Sequence, residues 1–237
     1  MHNNEIINTE DKEERSKKVQ SMFNGIAGRY DVLNSLLSFH TDARWRKVAI
    51  KKADIQPEHK VLDLACGTGE MILEIHRQAP LANVIGGDFS ENMLFIAKDK
   101  LPQTPLAAAD AQKLPFKDNS FHRITMAFGF RNVADKPKSL AELRRVLTDD
   151  GRLVILEFSE PENKLFAAIY KFYFDKILPL IGGLISGSKK AYQYLPESVH
   201  KFPRDDEYRK MILDAGFKNV TFTKKTFGIV TIAVIDK

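Results

Sequence analysis

Between residues 60 and 160, short apolar runs alternate with stretches whose apolar residues recur every three or four positions. The runs at 61–64, 83–88, 106–109, 122–127 and 153–156 are short and bounded by turn residues, and the first and last are rich in Val, Ile and Leu. That is the pattern of buried parallel strands. Helical spacing follows each of the first two, with Met71, Ile72 and Ile75 after one and residues 91–98 after the other. It returns in residues 137–147 through Leu140, Leu143, Val146 and Leu147. A helix over 204–215 and strands at 218–223 and 228–235 close the chain, the last two forming a hairpin. Five strand–helix alternations plus a hairpin predict an α/β, Rossmann-like doubly wound sheet, mostly parallel with an antiparallel C-terminal edge. Residues 1–20 are polar and of mixed charge, a tail or an exposed helix start. Val19, Met22, Phe23, Ile26 and Ala27 then recur at helical spacing. We read 21–237 as one domain, with 21–54 a helical lid and 162–203 an inserted, strongly apolar segment.

The first strand leads into Asp63-Leu64-Ala65-Cys66-Gly67-Thr68-Gly69. Gly67 and Gly69 let the backbone bend sharply and come close to a ligand. Asp63 is out of place in an apolar strand, and a carboxylate there needs turn amides or a cationic ligand. Asp88 closes the next strand, where an acid commonly meets two ribose hydroxyls. Asp110-Ala111 closes the third, where an acid can accept from an exocyclic amine. A dinucleotide fingerprint would need glycine at position 72, which is Ile72, and the spacing of a phosphate-cradling P-loop is absent. The turn therefore suits a ligand with a cationic amino-acid end better than a pyrophosphate.

The chain has 237 residues and is 43% hydrophobic and 28% charged, with a net charge of +5. These values fit a globular domain. The diffuse positive charge, with no Lys/Arg cluster interleaved with aromatics, argues against nucleic acid. The single cysteine, Cys66, excludes an internal disulfide and fits a reducing compartment. Its place in the turn invites a catalytic reading, but a small residue that fits a tight turn accounts for it. No leader pattern opens the sequence and no apolar run reaches the about 18 residues that span a bilayer. A cytoplasmic protein is expected. Residues 165–188 are too apolar for an ordinary surface helix and too interrupted to cross a membrane. They suit a greasy substrate channel, a resting face on the bilayer surface, or a homodimer seam.

Asp63-x-x-x-Gly67-x-Gly69 with Asp88 and Asp110 resembles the class I S-adenosylmethionine-dependent methyltransferases. Further segments resemble one family among them, the ubiquinone/menaquinone biosynthesis C-methyltransferases. These are Tyr30-Asp31-x-Leu33-Asn34-x-x-x-Ser38 up to Trp45, Phe128-Gly129-Phe130-Arg131-Asn132-Val133, Arg145-Val146-Leu147 through Leu156-Glu157-Phe158-Ser159-x-Pro161, Ile177-Leu178-Pro179-x-Ile181-Gly182, and Tyr192-x-Tyr194-Leu195-Pro196-Glu197-Ser198. Asp42 stands where the family commonly has histidine, and His40 where it has a small residue. Thr148-Asp149-Asp150-Gly151 replaces Lys-Pro-Gly-Gly, and Ala127 replaces a serine.

The resemblance implies a seven-stranded class I methyltransferase sheet and S-adenosylmethionine as methyl donor, with no metal. It implies a polyprenylated hydroquinone as acceptor, with demethylmenaquinol to menaquinol the favoured conversion. Cofactor contacts are expected from Asp63, Gly67, Thr68, Gly69, Asp88, Asp110, Ala111 and Ala127. Arg131 is expected to pair with the phenolate, and Tyr30 and Asp31 to touch the ring or relay its proton, with His40, Asp42 and His200 as weaker candidates. The alternatives are a methyltransferase for another small phenol or amine, a non-catalytic binding protein of this fold, and a nicotinamide reductase, which Ile72 disfavours.

Overall fold

The sheet predicted from the apolar runs is the spine of the computed structural model, which describes residues 2–29, 35, 38, 41–161, 163–177 and 189–237. Strands β1 (Lys60–Leu64), β2 (Asn83–Asp88), β3 (Leu106–Ala108), β4 (Phe121–Ala127), β5 (Leu147–Phe158), β6 (Asn219–Lys225) and β7 (Val230–Asp236) lie in the order β3-β2-β1-β4-β5-β7-β6. The first five are parallel, and β7 runs antiparallel between β5 and β6. The helices are α1 (His2–Ile26), α2 (Asp42–Ala53), α3 (Glu70–Gln78), α4 (Glu91–Lys100), α5 (Lys136–Val146), α6 (Lys164–Phe172), α7 (Lys189–His200) and α8 (Asp205–Asp214). Among the described residues no helix is long and apolar enough to cross a membrane.

Period-two alternation divides the core in two. Along β5, Leu153 and Ile155 face one layer with Leu140 and Leu143 of α5 and Ile212 of α8, whereas Val154 and Leu156 face the other with Ile50 of α2 and Ile72 and Ile75 of α3. Each of these side chains is at most 2% exposed. Full burial of one such side chain contributes about 1.5–3 kcal/mol. Helix α4 starts at Ser90, whose side chain accepts from Met93 N, and α5 at Asp135, which accepts from Lys138 N. Both caps satisfy amides that would otherwise be orphaned.

Two boundaries differ from the sequence reading. The predicted helix over 137–147 ends at Val146, and Leu147 already pairs with Phe121. Residues 148–151, which precede the predicted strand at 153–156, form a bulge inside β5, where pairing jumps from Leu147 to Arg152. Gly151 permits it, because a Cβ there would lie 2.7 Å from the Thr148 carbonyl oxygen. At the N-terminus, residues 2–20 are helical and continue without a break into the apolar end of α1.

Ile72 stands where a dinucleotide fingerprint has the glycine that lets helix and strand pack closely. The contact is close nonetheless, because the glycine that permits it sits on the strand. A Cβ on Gly86 of β2 would lie 2.8 Å from Ile72 Cδ1 and 2.6 Å from Leu106 Cδ2. Gly86→Ala should therefore destabilise the fold by about 1–3 kcal/mol through overpacking. Ile72→Val removes the opposing methyl, so the double variant should lose less than the sum of the singles. Urea unfolding of the three variants tests this, and additive losses would rule the contact out.

Candidate functional site

The strand order reverses direction between β1 and β4, which opens a crevice beyond the carboxyl ends of those strands. The chain leaves both strands in a strained conformation. Ala65 after β1 has φ 54° and Phe128 after β4 has φ 57°, both left-handed without being glycine. Such residues cost on the order of 1–3 kcal/mol and persist where neighbours hold them. Here Cys66 N donates to Gly87 O at 3.0 Å and Phe128 N to Leu156 O at 2.8 Å. The two turns press together at Gly129, where a Cβ would come within 2.4 Å of the Ala65 methyl. Gly67, with φ 55°, is different: a Cβ there would meet nothing within 4 Å, because the position faces the crevice.

Two buried acids flank this turn. Asp88 receives Gly67 N on Oδ2 and Ser90 N on Oδ1, each at 2.7 Å. Burial pushes its carboxyl up although these amides pull it down. Asp63, 1% exposed, accepts from Thr125 Oγ1 at 2.7 Å, and its Oδ2 has no hydrogen-bond partner among the described residues. Burial raises its pKa to about 7, with the Thr125 bond opposing and the Asp88 charge adding. A half-satisfied buried carboxylate beside a second acid wants a cation. Burial also pushes the Cys66 thiol well up, and the Asp88 and Asp63 charges add to this. The thiol is therefore neutral, and Cys66 fits its small-residue role rather than that of a nucleophile.

The main cleft, about 790 Å³ including its open mouth, falls in the ~300–1,000 Å³ range of ligand pockets. Gly67, Asp88, Asp110, Ala111 and Ala127, candidate cofactor residues, line it, and so do Gln112 and Asn132. Asp110 Oδ1 accepts from Gln112 N at 2.8 Å, which fixes the turn after β3. Helix α1 forms the roof through Ser16, Val19, Gln20 and Phe23. It is fastened by Lys12 Nζ to Asp135 Oδ2 at 2.8 Å and by Gln20 Nε2 to Phe89 O at 2.6 Å. The sequence reading starts the lid at residue 21; this roof reaches back to Ser16, which only the spacing of Val19 and Phe23 hinted at.

A smaller cleft of about 350 Å³ shares Ala65, Gly67, Ala127 and Phe128 with the main one and adds Arg46, Cys66, Thr68, Glu70 and Met71. Gly69 lines neither cleft; it begins α3 at φ 91° and packs on Leu101. Asp63 lies beneath the turn rather than in a wall. These residues fit a methyl donor with a nucleoside at one end and an amino acid at the other.

Arg131 is placed differently from the expectation. The 3-10 turn Phe130–Asn132 points it away from the cleft wall and towards the end of β5. It is 5% exposed, and its Nη1 donates to Glu157 Oε1 at 2.8 Å and to Phe128 O. Its Nε donates to Ser198 Oγ of α7 at 3.3 Å, and its amide to Glu157 Oε2 at 3.0 Å. Its charge is thus neutralised inside the protein. His200 is also committed elsewhere, between Glu160 at 2.7 Å and Asp175 at 3.0 Å. Tyr30, Asp31 and His40 lie outside the described residues.

A family model described as the ubiE/COQ5 methyltransferase family matches residues 9–237. The chain is 46% identical over 231 residues to a protein of Geotalea uraniireducens named ubiquinone/menaquinone biosynthesis C-methyltransferase UbiE, covering 94% of this chain and 98% of that one. It is 48% identical over 220 residues to a demethylmenaquinone methyltransferase of Thermus thermophilus, covering 91% of this chain and 100% of that one. Its fold is similar to a solved SAM-dependent methyltransferase of Aquifex aeolicus, with TM-score 0.59 and 19% identity over 81% of this chain and 88% of that one.

Two outcomes follow from the buried charges. Arg131→Ala leaves Glu157 buried and unpaired, so it should cost about 3–5 kcal/mol of stability. Combining it with Glu157→Gln should recover much of that loss in chemical denaturation; no recovery would dismiss the pair as a structural unit. For Asp63, the unfolded carboxyl titrates near 3.8 and the folded one near 7. Between these values the folded state keeps a proton that the unfolded state has released, so stability falls as pH rises through this window. Asp63→Asn should abolish its share of that fall and be more stable than the parent at about pH 8, by a few kcal/mol. Identical pH profiles in urea would contradict the assignment.

Proposed function

The chain belongs to the ubiE/COQ5 methyltransferase family, and on that premise we propose that it methylates a ring carbon of a polyprenylated hydroquinone, with demethylmenaquinol to menaquinol as the favoured conversion. The observation that carries the cofactor side is the acid pair astride Gly67, one oxygen of which is unsatisfied. S-adenosylmethionine supplies an electrophilic methyl group on a positively charged sulfur.

In this reading Asp63 Oδ2 takes the ammonium of the amino-acid end, and the ionised carboxylate is favoured by that partner. Asp88 keeps its Gly67 and Ser90 amides on one lone pair of each oxygen and accepts the two ribose hydroxyls on the others. Asp110 Oδ2 accepts from the adenine amine, against the side walls of Ala111 and Met126. Gly67, which has no Cβ, leaves the approach to the methyl open. Thr68 and Ala127 bound the same space. Where the family commonly has serine, Ala127 offers no hydroxyl, so one cofactor hydrogen bond is missing here.

On the acceptor side, loss of a hydroxyl proton raises electron density on the adjacent ring carbon. That carbon forms a bond to the methyl as the carbon–sulfur bond breaks. The ring carbon then sheds its own proton and regains aromaticity while the ionised oxygen takes a proton back, so the net release is one proton per turnover. The enzyme's share is alignment and exclusion of water. Phe128 and the α1 roof do the excluding. The family resemblance assigns Tyr30 and Asp31 to the ring and its proton. Arg131 is a positioning residue: through Phe128 O, Glu157 and Ser198 it ties the post-β4 turn to β5 and α7. We read 21–54 as the lid and 162–203 as the substrate side, where the apolar residues house the prenyl tail or rest on a bilayer surface. Residues 178–188 of that segment lie outside the described ones.

Incubation of the purified protein with labelled S-adenosylmethionine and demethylmenaquinol, kept reduced, should transfer one methyl group to ring carbon by mass analysis. The oxidised quinone should be inert, because it has no hydroxyl to ionise. The benzoquinol counterpart, run in parallel, decides the ring preference. Asp88→Ala should raise KM for the cofactor about 10- to 100-fold with a smaller change in kcat, the loss of hydrogen bonds to a charged group. Methylation of the quinone, or an Asp88→Ala variant with unchanged cofactor KM, would contradict the reading.

A further inference from the structure

The two clefts meet at Gly67 and Phe128, and the partners assigned so far account for the nucleoside and the ammonium. The cofactor's amino-acid end also carries a carboxylate, and the acids around the two clefts, Asp63, Asp88 and Glu70, would repel it. A third negative charge in so confined a place needs a cation of its own. Among the described residues that line the two clefts, Arg46 is the one lysine or arginine. We propose that Arg46 grips the α-carboxylate of the cofactor and that Asp42 is the positioning residue that aims it. The inference rests on the cofactor reading above and adds the residues that recognise the amino-acid end as a zwitterion.

The geometry supports both halves. Arg46 is 9% exposed and lines the smaller cleft with Thr68, Glu70 and Met71. Its Nη1 donates to Asp42 Oδ2 at 2.6 Å, its one hydrogen bond among the described residues. The guanidinium is planar and carries five donors, so binding Asp42 through Nη1 leaves donors for a second carboxylate. Phe128 supports it from the side, with the guanidinium carbon 5.9 Å from the ring centroid. Asp42 is fixed in turn, because Ser38 Oγ donates to its Oδ1 at 2.8 Å. Burial pushes Asp42 up, but Arg46, the Ser38 hydroxyl and the Ala43 amide outweigh this and hold it below the usual carboxylate range. The Arg46 charge also reaches Asp63, so cation and orphaned acid share one neighbourhood. The start of α3 faces the same cleft. Its cap residue Gly69 contributes no side chain, and Glu70 is drawn to Lys100 at 2.9 Å. The first amides of α3 thus add a weaker pull on an anion.

Decarboxylated S-adenosylmethionine keeps the ammonium and the nucleoside and lacks only the carboxylate, which makes it the discriminating probe. Calorimetry should show the parent protein binding S-adenosylmethionine about 10- to 100-fold tighter than the decarboxylated compound, as expected for a charged hydrogen-bonded pair. Arg46→Met should bind the two alike, losing affinity only for the carboxylated ligand. Arg46→Lys, which keeps a charge beside Asp42 and guards against misfolding, should retain part of the preference. Asp42→Asn should narrow the preference while leaving affinity for the decarboxylated compound unchanged, which a merely structural role would not do. The proposal is overturned if Arg46→Met keeps the full preference, if it weakens both ligands equally, or if the parent protein binds both alike. A parent protein that binds neither compound overturns the cofactor reading as well.

Discussion

Asp63 is a carboxylate inside a parallel sheet, and most of what surrounds it follows from the cost of keeping it there. Its register partners are Gly86 on β2 and Thr125 on β4. The threonine donates the one hydrogen bond the strand environment can supply, while Gly86 leaves the neighbouring strand narrow enough for α3 to pack on it. Had the strand needed only stability, an apolar residue would have served better, because unpaired buried charge is expensive. The cost is localised at the end of the strand, beside two left-handed non-glycine residues, where strain and unsatisfied polarity can be relieved by a ligand. The site is thus where the sheet concentrates backbone strain and unpaired charge.

Glu157 shows what the alternative looks like. It stands one residue before the end of β5, as Asp63 does in β1, and it is nearly as buried as Asp63, with 2% exposure. Yet its two oxygens accept from the Arg131 amide, the Arg131 guanidinium and the Phe158 amide. A fully satisfied acid of this kind fastens elements together; a half-satisfied one awaits a partner. Both occur at strand ends of the same sheet, so position in the fold does not separate structural from ligand-binding acids. The count of donors around each oxygen does.

That distinction explains which parts of the molecule were legible in the sequence. The strands were readable because apolar runs flanked by turns leave little choice, and the acids at 63, 88 and 110 announced themselves by interrupting such runs. Gly67 was readable because a turn with an outward-facing backbone needs it. The burial of Arg131 against Glu157 was not legible, because the sequence shows a cation at a strand end but not which way the 3-10 turn points it. Compensation between distant residues was also hidden: Ile72 looked like an obstacle until Gly86, on another element, was seen to make room for it. The α1 roof was obscured because its grip is polar, through Lys12 and Gln20, and polar residues on a helix read as solvent-facing.

Asp42 brings these threads together. Two acids, Asp42 and Asp63, lie within the field of one arginine, and the protein pushes their affinities for protons in opposite directions. Asp42 touches Arg46 directly, receives a hydroxyl and an amide, and stays ionised. Asp63 feels the same charge only at a distance, keeps one oxygen bare, and hovers near neutrality. A histidine at position 42 would be charged or neutral according to pH and could repel Arg46 when protonated. An aspartate there remains an anion across the physiological range, so Arg46 has the same anchor whether or not Asp63 holds its proton. The residue that departs from the family pattern therefore makes the cation's placement independent of the titration of the acid next to it.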